Sequence, residues 1–393
     1  MNRFSKETEY GHRIQRFQNH LVRFGMDGAL LVEKVDVYYL SGTDQDAHLW
    51  VPASGEPLLL VRKSFVRARE DAALSHMVPL RTLSALPERI RDHQGRLPSH
   101  MGLEMDVLPA RLYLTYRKLF PQTEMGDISP LIRAVRMVKS DYERSCISRA
   151  AETADRLFEQ VPGFLAESET MNDLAARADT FHRSQGHPGL VRSRAMAHLH
   201  GEIMSGKADL LSGAPSGLRD GIGPGLFHRQ GGGNGRIRRN APIIVDRASN
   251  VEGYIADQAR VYCLGTLPDR LLRAHDLMLD IQNRLAERGM PGVRAGDLYE
   301  RALDMAERAG LSEGFMGYPE PAPYVGHGIG LEIDEWPLIG RNSSILLEEN
   351  MVTTLEPRMV FPDLGMVGIK NAFVVTGRGL RRLSRFPDPV FTC

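Results

Sequence analysis

Four residues in the second half of the chain have types and spacing suited to holding or moving charge. Asp246 ends an apolar run, Ile243-Ile244-Val245-Asp246, that reads as a strand. A carboxylate in that position is expensive to bury alone. Asp257 follows 11 residues later (257 − 246), on a second strand-like run from Tyr254 to Tyr262, with a turn through Asn250 to Gly253 between them. A hairpin over this stretch lets the two carboxylates face each other, and buried like charges then need a cation or a shared proton. His327 sits in the glycine turn Gly326-His327-Gly328-Ile329-Gly330, and Glu356 closes the strand Val352-Thr353-Thr354-Leu355 just before Pro357. Aspartate, histidine and glutamate at strand ends are the ligand mix for divalent Mn, Co, Zn or Fe. Taken singly, each has a structural reading as a turn cap or a packed histidine. Taken together, each closing an apolar strand or a glycine turn, they read as a cation site.

The elements that must position them follow from pattern. The chain has 393 residues, more than one core usually fills, so two domains are expected, over 1–138 and 139–393. The first reads as mixed α/β. Ile14, Phe17, Leu21 and Val22 mark one helical face within Tyr10 to Phe24. Strands are expected at Ala29 to Val32, Val35 to Leu40, His48 to Pro52 and Pro57 to Arg62, and a helix at about Ser64 to Ala73. The second domain opens on a long helix, Ser140 to Phe164, where Ser140 and Glu143 have capping-box spacing. Further helices are expected over Met171 to Gln185, Asp269 to Gly289 and Asp297 to Gly310, and strands at Met351 to Glu356, Met359 to Phe361 and Val367 to Thr376. Gly201 to Asn240 is glycine-rich without P-loop spacing and reads as a flexible loop bordering a site.

Composition excludes several classes. Lys+Arg and Asp+Glu total 49 each, so no global basic field invites nucleic acid or an anionic membrane. Cys146, Cys263 and Cys393 are too few and too far apart for a disulfide framework, which suits a reducing cytoplasm. Met1 to Gly11 carry no apolar signal core, and no apolar run reaches the roughly 18 residues of a spanning helix. A soluble cytoplasmic protein is expected.

These motifs resemble the pita-bread superfamily of aminopeptidase P, prolidase, methionine aminopeptidase and creatinase. The matching stretches are Ile244-Val245-Asp246, Gly253 to Arg260, Gly326-His327-Gly328-Ile329-Gly330-Leu331-Glu332, Leu355-Glu356-Pro357, and Val367 to Thr376. The step of 29 from His327 to Glu356 and of 14 from Glu356 to position 370 fit the Xaa-Pro peptidase branch. The resemblance implies a small N-terminal α/β creatinase-like domain, a C-terminal pita-bread domain, and a homodimer. It also implies a hydrolase acting on a peptide or small amide C–N bond, with metal positions at Asp246, Asp257, His327 and Glu356. Tyr324 and Arg358 are expected to line the pocket. His228, 18 residues before Asp246, stands near the position of the family's substrate-polarising histidine. Catalytic roles accordingly fall to His228 and Glu356, and substrate contacts to Tyr324 and Asp334.

Two positions depart from the family. Lys370 stands where the peptidases have a bridging Glu, and Asp334 where they have a second active-site His. Three carboxylates and one lysine sum to −2, which matches one divalent ion, or none with Lys370 as internal counter-ion, and disfavours two. If one ion stays, the family pattern implies Asp257, His327 and Glu356 as its ligands. Three readings follow: a one-metal Xaa-Pro peptidase, a metal-independent creatinase-like C–N hydrolase, and a non-catalytic binding protein on the same shell.

Overall fold

A computed structural model describes residues 6–194, 202–205 and 233–393. Contacts divide the chain into two units, Met1–Arg136 and Met137–Cys393.

In the first unit the elements run α1 (Lys6–Arg23), β1 (Gly28–Leu31), α2 (Lys34–Ser41), β2 (Ala47–Pro52), β3 (Leu58–Val61), α3 (Phe65–Asp71) and β4 (Met77–Pro79). They continue with α4 (Leu86–Gln94), β5 (His100–Leu103), α5 (Ala110–Leu119), β6 (Glu124–Asp127) and α6 (Ser129–Met137). The strands form one six-stranded sheet in the order β4-β3-β2-β1-β5-β6. As expected, α1 buries Ile14, Phe17 and Leu21, but Val22 points to solvent.

The expected strand over Val35 to Leu40 is instead helix α2. Gly42 ends it in the left-handed conformation at φ 85°, and its N–H donates to Tyr38 O. The helix places Asp36 in the core, where Arg136 Nη1 donates to its carboxylate at 2.7 Å. Strand-favouring Val and Tyr yield here to a buried ion pair that the strand would not make.

The second unit begins with α7 (Asp141–Ala166), α8 (Met171–Ser184) and β7 (Glu202–Ser205). The capping box is present: Ser140 accepts from Glu143 N–H, and the Glu143 carboxylate accepts from Ser140 N–H. Next come β8 (Ile243–Val251), β9 (Tyr254–Cys263), α9 (Asp269–Arg288) and α10 (Ala295–Arg308). The unit closes with β10 (Tyr324–Gly328), β11 (Glu335–Gly340), β12 (Val352–Leu355), β13 (Arg358–Phe361), β14 (Gly365–Gly368), β15 (Asn371–Thr376), β16 (Gly379–Arg382) and β17 (Phe391–Thr392). One sheet runs β17-β9-β8-β7 and a second runs β11-β10-β12-β15-β16, while β13 and β14 pair as a hairpin.

The β8–β9 ladder divides its residues by parity. Ile243, Val245 and Tyr262 pack with Ala154, Leu157, Phe158 and Val161 of α7. Ile244, Ala259 and Val261 face the larger core of α9, α10 and the second sheet. Asp246 and Asp257 share this second parity, so the sheet presents both carboxylates on the face opposite α7.

Candidate functional site

Two expectations about backbone context need correction. Asp246 does not end its strand: β8 runs on to Val251. Arg247 and Ser249, which fall between the expected strand end and the expected turn, are both buried in the strand, where Arg247 Nη1 reaches Asp179 at 2.6 Å and Ser249 Oγ meets His182 Nε2 at 3.1 Å. The register pairs Asp246 with Ala259 and Asp257 with Ala248, so the carboxylates are diagonal neighbours and not directly opposite. The Gly-His-Gly segment is likewise a strand, β10, and not a turn. Its glycines allow close strand approach: a Cβ at Gly326 would lie 2.1 Å from Thr354 O, and one at Gly328 would lie 2.2 Å from Trp336 O.

The structure brings Asp246, Asp257, His327, Glu356 and Lys370 together. Lys370 lies in the break between β14 and β15, where the sequence pattern reads as one continuous strand. Its Nζ donates to Asp246 Oδ2 at 2.9 Å and to Asp257 Oδ2 at 3.0 Å, and lies 3.1 Å from Glu356 Oε2. All of Lys370, Asp257, His327 and Glu356 are buried, and Asp246 is half-buried. Burial alone would discharge the ammonium, but Asp246, Asp257 and Glu356 outweigh it and raise its pKa well above the ordinary lysine value. Burial likewise works against ionised Glu356, but Lys370, Arg358 and His327 hold its carboxyl down at about 2. For Asp257 burial prevails over Lys370 and raises the carboxyl.

His327 is fixed by its strand neighbours. Its backbone N–H donates to Thr354 Oγ1 at 3.1 Å, and Thr353 Oγ1 donates to its carbonyl at 3.0 Å. The ring Nδ1 is 3.1 Å from Gly328 O, and since a carbonyl can only accept, Nδ1 carries the proton. Nε2 then faces Asp257 Oδ2 at 3.7 Å and Glu356 Oε1 at 3.8 Å, too long for direct hydrogen bonds and suited to a bridging water. The Tyr324 ring meets the His327 ring edge-on at 6.3 Å. Asp334 lies exposed in the turn before β11, where its carboxylate accepts from Ser193 Oγ at 2.9 Å. His228 and the glycine-rich loop lie outside the described residues, apart from β7 and the stretch after residue 232.

Sequence reasoning missed what holds the lysine. Arg260 is fully buried, and its guanidinium donates to the carbonyls of Lys370, Ala259, Phe386 and Pro387 and to Asn371 Oδ1. Ala259 and Lys370 also pair backbone to backbone, with Ala259 N–H donating to Lys370 O at 3.1 Å. Asn371 Nδ2 donates to Gln282 Oε1 at 2.9 Å, and Gln282 Nε2 donates to Leu355 O at 2.8 Å. These contacts tie the Leu355–Asn371 end of the β12–β15 ladder, next to the site, to β9 and α9. The signal was present in the sequence as a charged residue inside a strand-like run, but nothing there named its partners.

An α/β unit followed by a unit of mostly antiparallel sheets, with acids and a histidine gathered in the second, defines the pita-bread class of hydrolases. The chain belongs to metallopeptidase family M24, whose model matches residues 145–377, and the creatinase/prolidase N-terminal domain matches residues 13–138. Over 375 residues it is 23% identical to the Xaa-Pro dipeptidase of Pyrococcus horikoshii, covering 95% of this chain and 97% of that protein. Among solved structures, the Xaa-Pro dipeptidase from Bacillus anthracis superposes with a TM-score of 0.83 at 21% identity, covering 98% of this chain and 100% of the other. The prolidase from Pyrococcus horikoshii gives 0.79 at 21%, covering 96% and 99%. The family's name implies divalent metal.

The donor set tests that implication. A dinuclear centre needs the space between Asp246, Asp257 and Glu356, and the Lys370 ammonium lies within 3.1 Å of an oxygen on each. A one-ion set of Asp257, His327 and Glu356 shares two of its three ligands with the same ammonium. A second cation there would repel the lysine at short range in a low-dielectric setting. The residues present do not fit the family's metal centre.

Proposed function

We propose that the chain hydrolyses the C–N bond of a small amide of the Xaa-Pro dipeptide type, with Lys370 as resident cation in place of the metals. The observation that carries this is the ammonium bonded to three carboxylates. The relatives named Xaa-Pro dipeptidase support the substrate class.

Water is the nucleophile. His327, whose Nε2 lone pair faces Asp257 and Glu356, takes a proton from it as oxygen adds to the carbonyl carbon. The same proton passes to the leaving nitrogen as the C–N bond breaks. Asp257 and Glu356 stabilise the transient imidazolium, much as a triad carboxylate does. Glu356 is a poor base here, because Lys370 and Arg358 share its Oε2. The developing oxyanion falls to His228 on sequence grounds. Lys370 keeps its proton throughout and prevents the acids from repelling one another.

Protein purified without chelators is assayed for bound metal and for hydrolysis of Xaa-Pro dipeptides and small amides, with Mn and with EDTA. Hydrolysis indifferent to EDTA is expected. Two stoichiometric ions, or turnover that requires Mn, would refute the lysine reading. Silence on every amide would leave the shell as a binding protein.

A further inference from the structure

After α8 the chain forms a strap over residues 186–194, turned at its start by Gly186 at φ 85°. Val191 packs with Ala248, Ile255 and Ile333. Ala248 is the cross-strand partner of Asp257 and has the parity of Asp246. Further on, Arg192 O accepts from Ile333 N–H at 2.8 Å, and Ser193 Oγ donates to Asp334. The strap therefore borders the acid cluster at one residue's remove, and it holds the turn that follows β10.

One side chain fastens it to β8. His187 is buried, and its Nδ1 accepts from Gly189 N–H at 2.9 Å. An amide N–H only donates, so Nδ1 carries the lone pair and the ring proton sits on Nε2. Nε2 then donates to Ala248 O at 3.1 Å. Gly189 presents its N–H from φ 82°, a conformation that favours glycine. The two ring nitrogens thus have opposite roles, and only a neutral imidazole fills both. A second proton would set Nδ1–H against Gly189 N–H. The groups around the ring do not favour that proton. His182 of α8 stacks on it at 5.2 Å, and Arg183 of the same helix donates to Pro188 O at 2.9 Å. The nearby acids are engaged elsewhere: Asp179 with Arg247 of β8, Asp334 with Ser193, and Glu332 3.9 Å from Arg194. Asp246 and Asp257 lie on the face of the sheet opposite α7.

We propose that His187 is a positioning residue: as the neutral imidazole it clamps the strap onto β8 beside Asp257, and a proton on Nδ1 releases the strap. It acts through the strap and not on the reacting atoms. Its effect on turnover rests on the hydrolase reading of the cluster, whereas the clamp itself does not.

Hydrogen exchange of the full chain, read by mass spectrometry in peptides covering 188–194 and corrected for the intrinsic pH dependence of exchange, measures strap opening. Because the closed strap accepts only the neutral ring, the opening constant should rise towards about 10-fold per pH unit below about pH 6.5. His187→Gln keeps a donor for Ala248 O, and His187→Asn keeps an acceptor for Gly189 N–H. Neither titrates, so the strap should open in both to an extent that does not vary with pH. His182→Gln should keep the wild-type slope. A flat wild-type profile, a slope that survives in both His187 variants, or a slope lost in His182→Gln overturns the proposal. His327 titrates alike in wild type and variant, so the ratio of kcat/KM in His187→Gln to that in wild type should climb as pH falls. A flat ratio in an active enzyme refutes the positioning role. Strap opening of the expected slope without hydrolysis of any amide sinks the hydrolase reading and leaves the clamp standing.

Discussion

Replacing Lys370 with glutamate should give a protein that a divalent ion stabilises, where the wild type is expected to be indifferent to metal. In the native site one ammonium faces three carboxylates at 2.9, 3.0 and 3.1 Å. At an effective dielectric of about 20, each contact represents roughly 5 kcal/mol of gross attraction, most of it offset by desolvation. Lys370→Glu removes that cation and adds a fourth acid. Breaking a buried pair from one side typically costs about 3–5 kcal/mol. For a unit of this size that corresponds to a fall in Tm of roughly 10 °C in excess EDTA. A metal that binds only the folded state returns about 4 kcal/mol at a thousand times its Kd, enough to restore most of the loss. Scanning calorimetry of wild type and Lys370→Glu, each with EDTA and with Mn, measures all four states. The reasoning fails if EDTA lowers the wild-type Tm. It fails equally if Lys370→Glu melts like wild type in EDTA or does not respond to Mn.

Other consequences are sharper in stability than in activity. Arg260→Met should destabilise the second unit by about 3–5 kcal/mol in urea melts, because it orphans several buried carbonyls at once; a loss under about 1 kcal/mol would show that they find other donors. His48 is buried with Nε2 2.7 Å from Tyr116 Oη, and burial, with Arg62 adding to it, lowers its pKa from 6.5 to about 4. The folded value lies below the unfolded one, so the unfolded chain binds the extra proton. The contribution is complete above about pH 6.5 and is lost as pH falls towards 4. Between about pH 7.5 and 5 the first unit should lose roughly 2 kcal/mol that His48→Gln does not lose. Parallel pH profiles for the two proteins would exclude this.

Much of the site was legible because its spacing is linear in the sequence. Asp246, Asp257, His327, Glu356 and position 370 lie in short motifs; the first three sit on β8, β9 and β10, Glu356 directly follows β12, and Lys370 falls in the break between β14 and β15. What stayed hidden were partnerships between distant polar residues. Arg247 falls just past the apolar run, and what buries it in β8 is Asp179, 68 residues away on α8. Asp36 can be buried in α2 because Arg136, 100 residues on, pairs with it. The break that aims Lys370 depends on Arg260, whose acceptors span residues 259 to 387. Apolar periodicity reports which face is buried, and it carries no trace of which buried polar groups satisfy each other.

The grip on the Lys370 backbone has an evolutionary consequence. Arg260 and Ala259 anchor the main chain at this position through its carbonyl, whichever side chain it bears. Codons for lysine and glutamate differ by a single base. A lineage can therefore exchange an ammonium for a metal ligand in one mutational step without rebuilding the scaffold, and the choice between an inorganic and an organic cation becomes a reversible trait on which selection for metal scarcity or abundance can act directly.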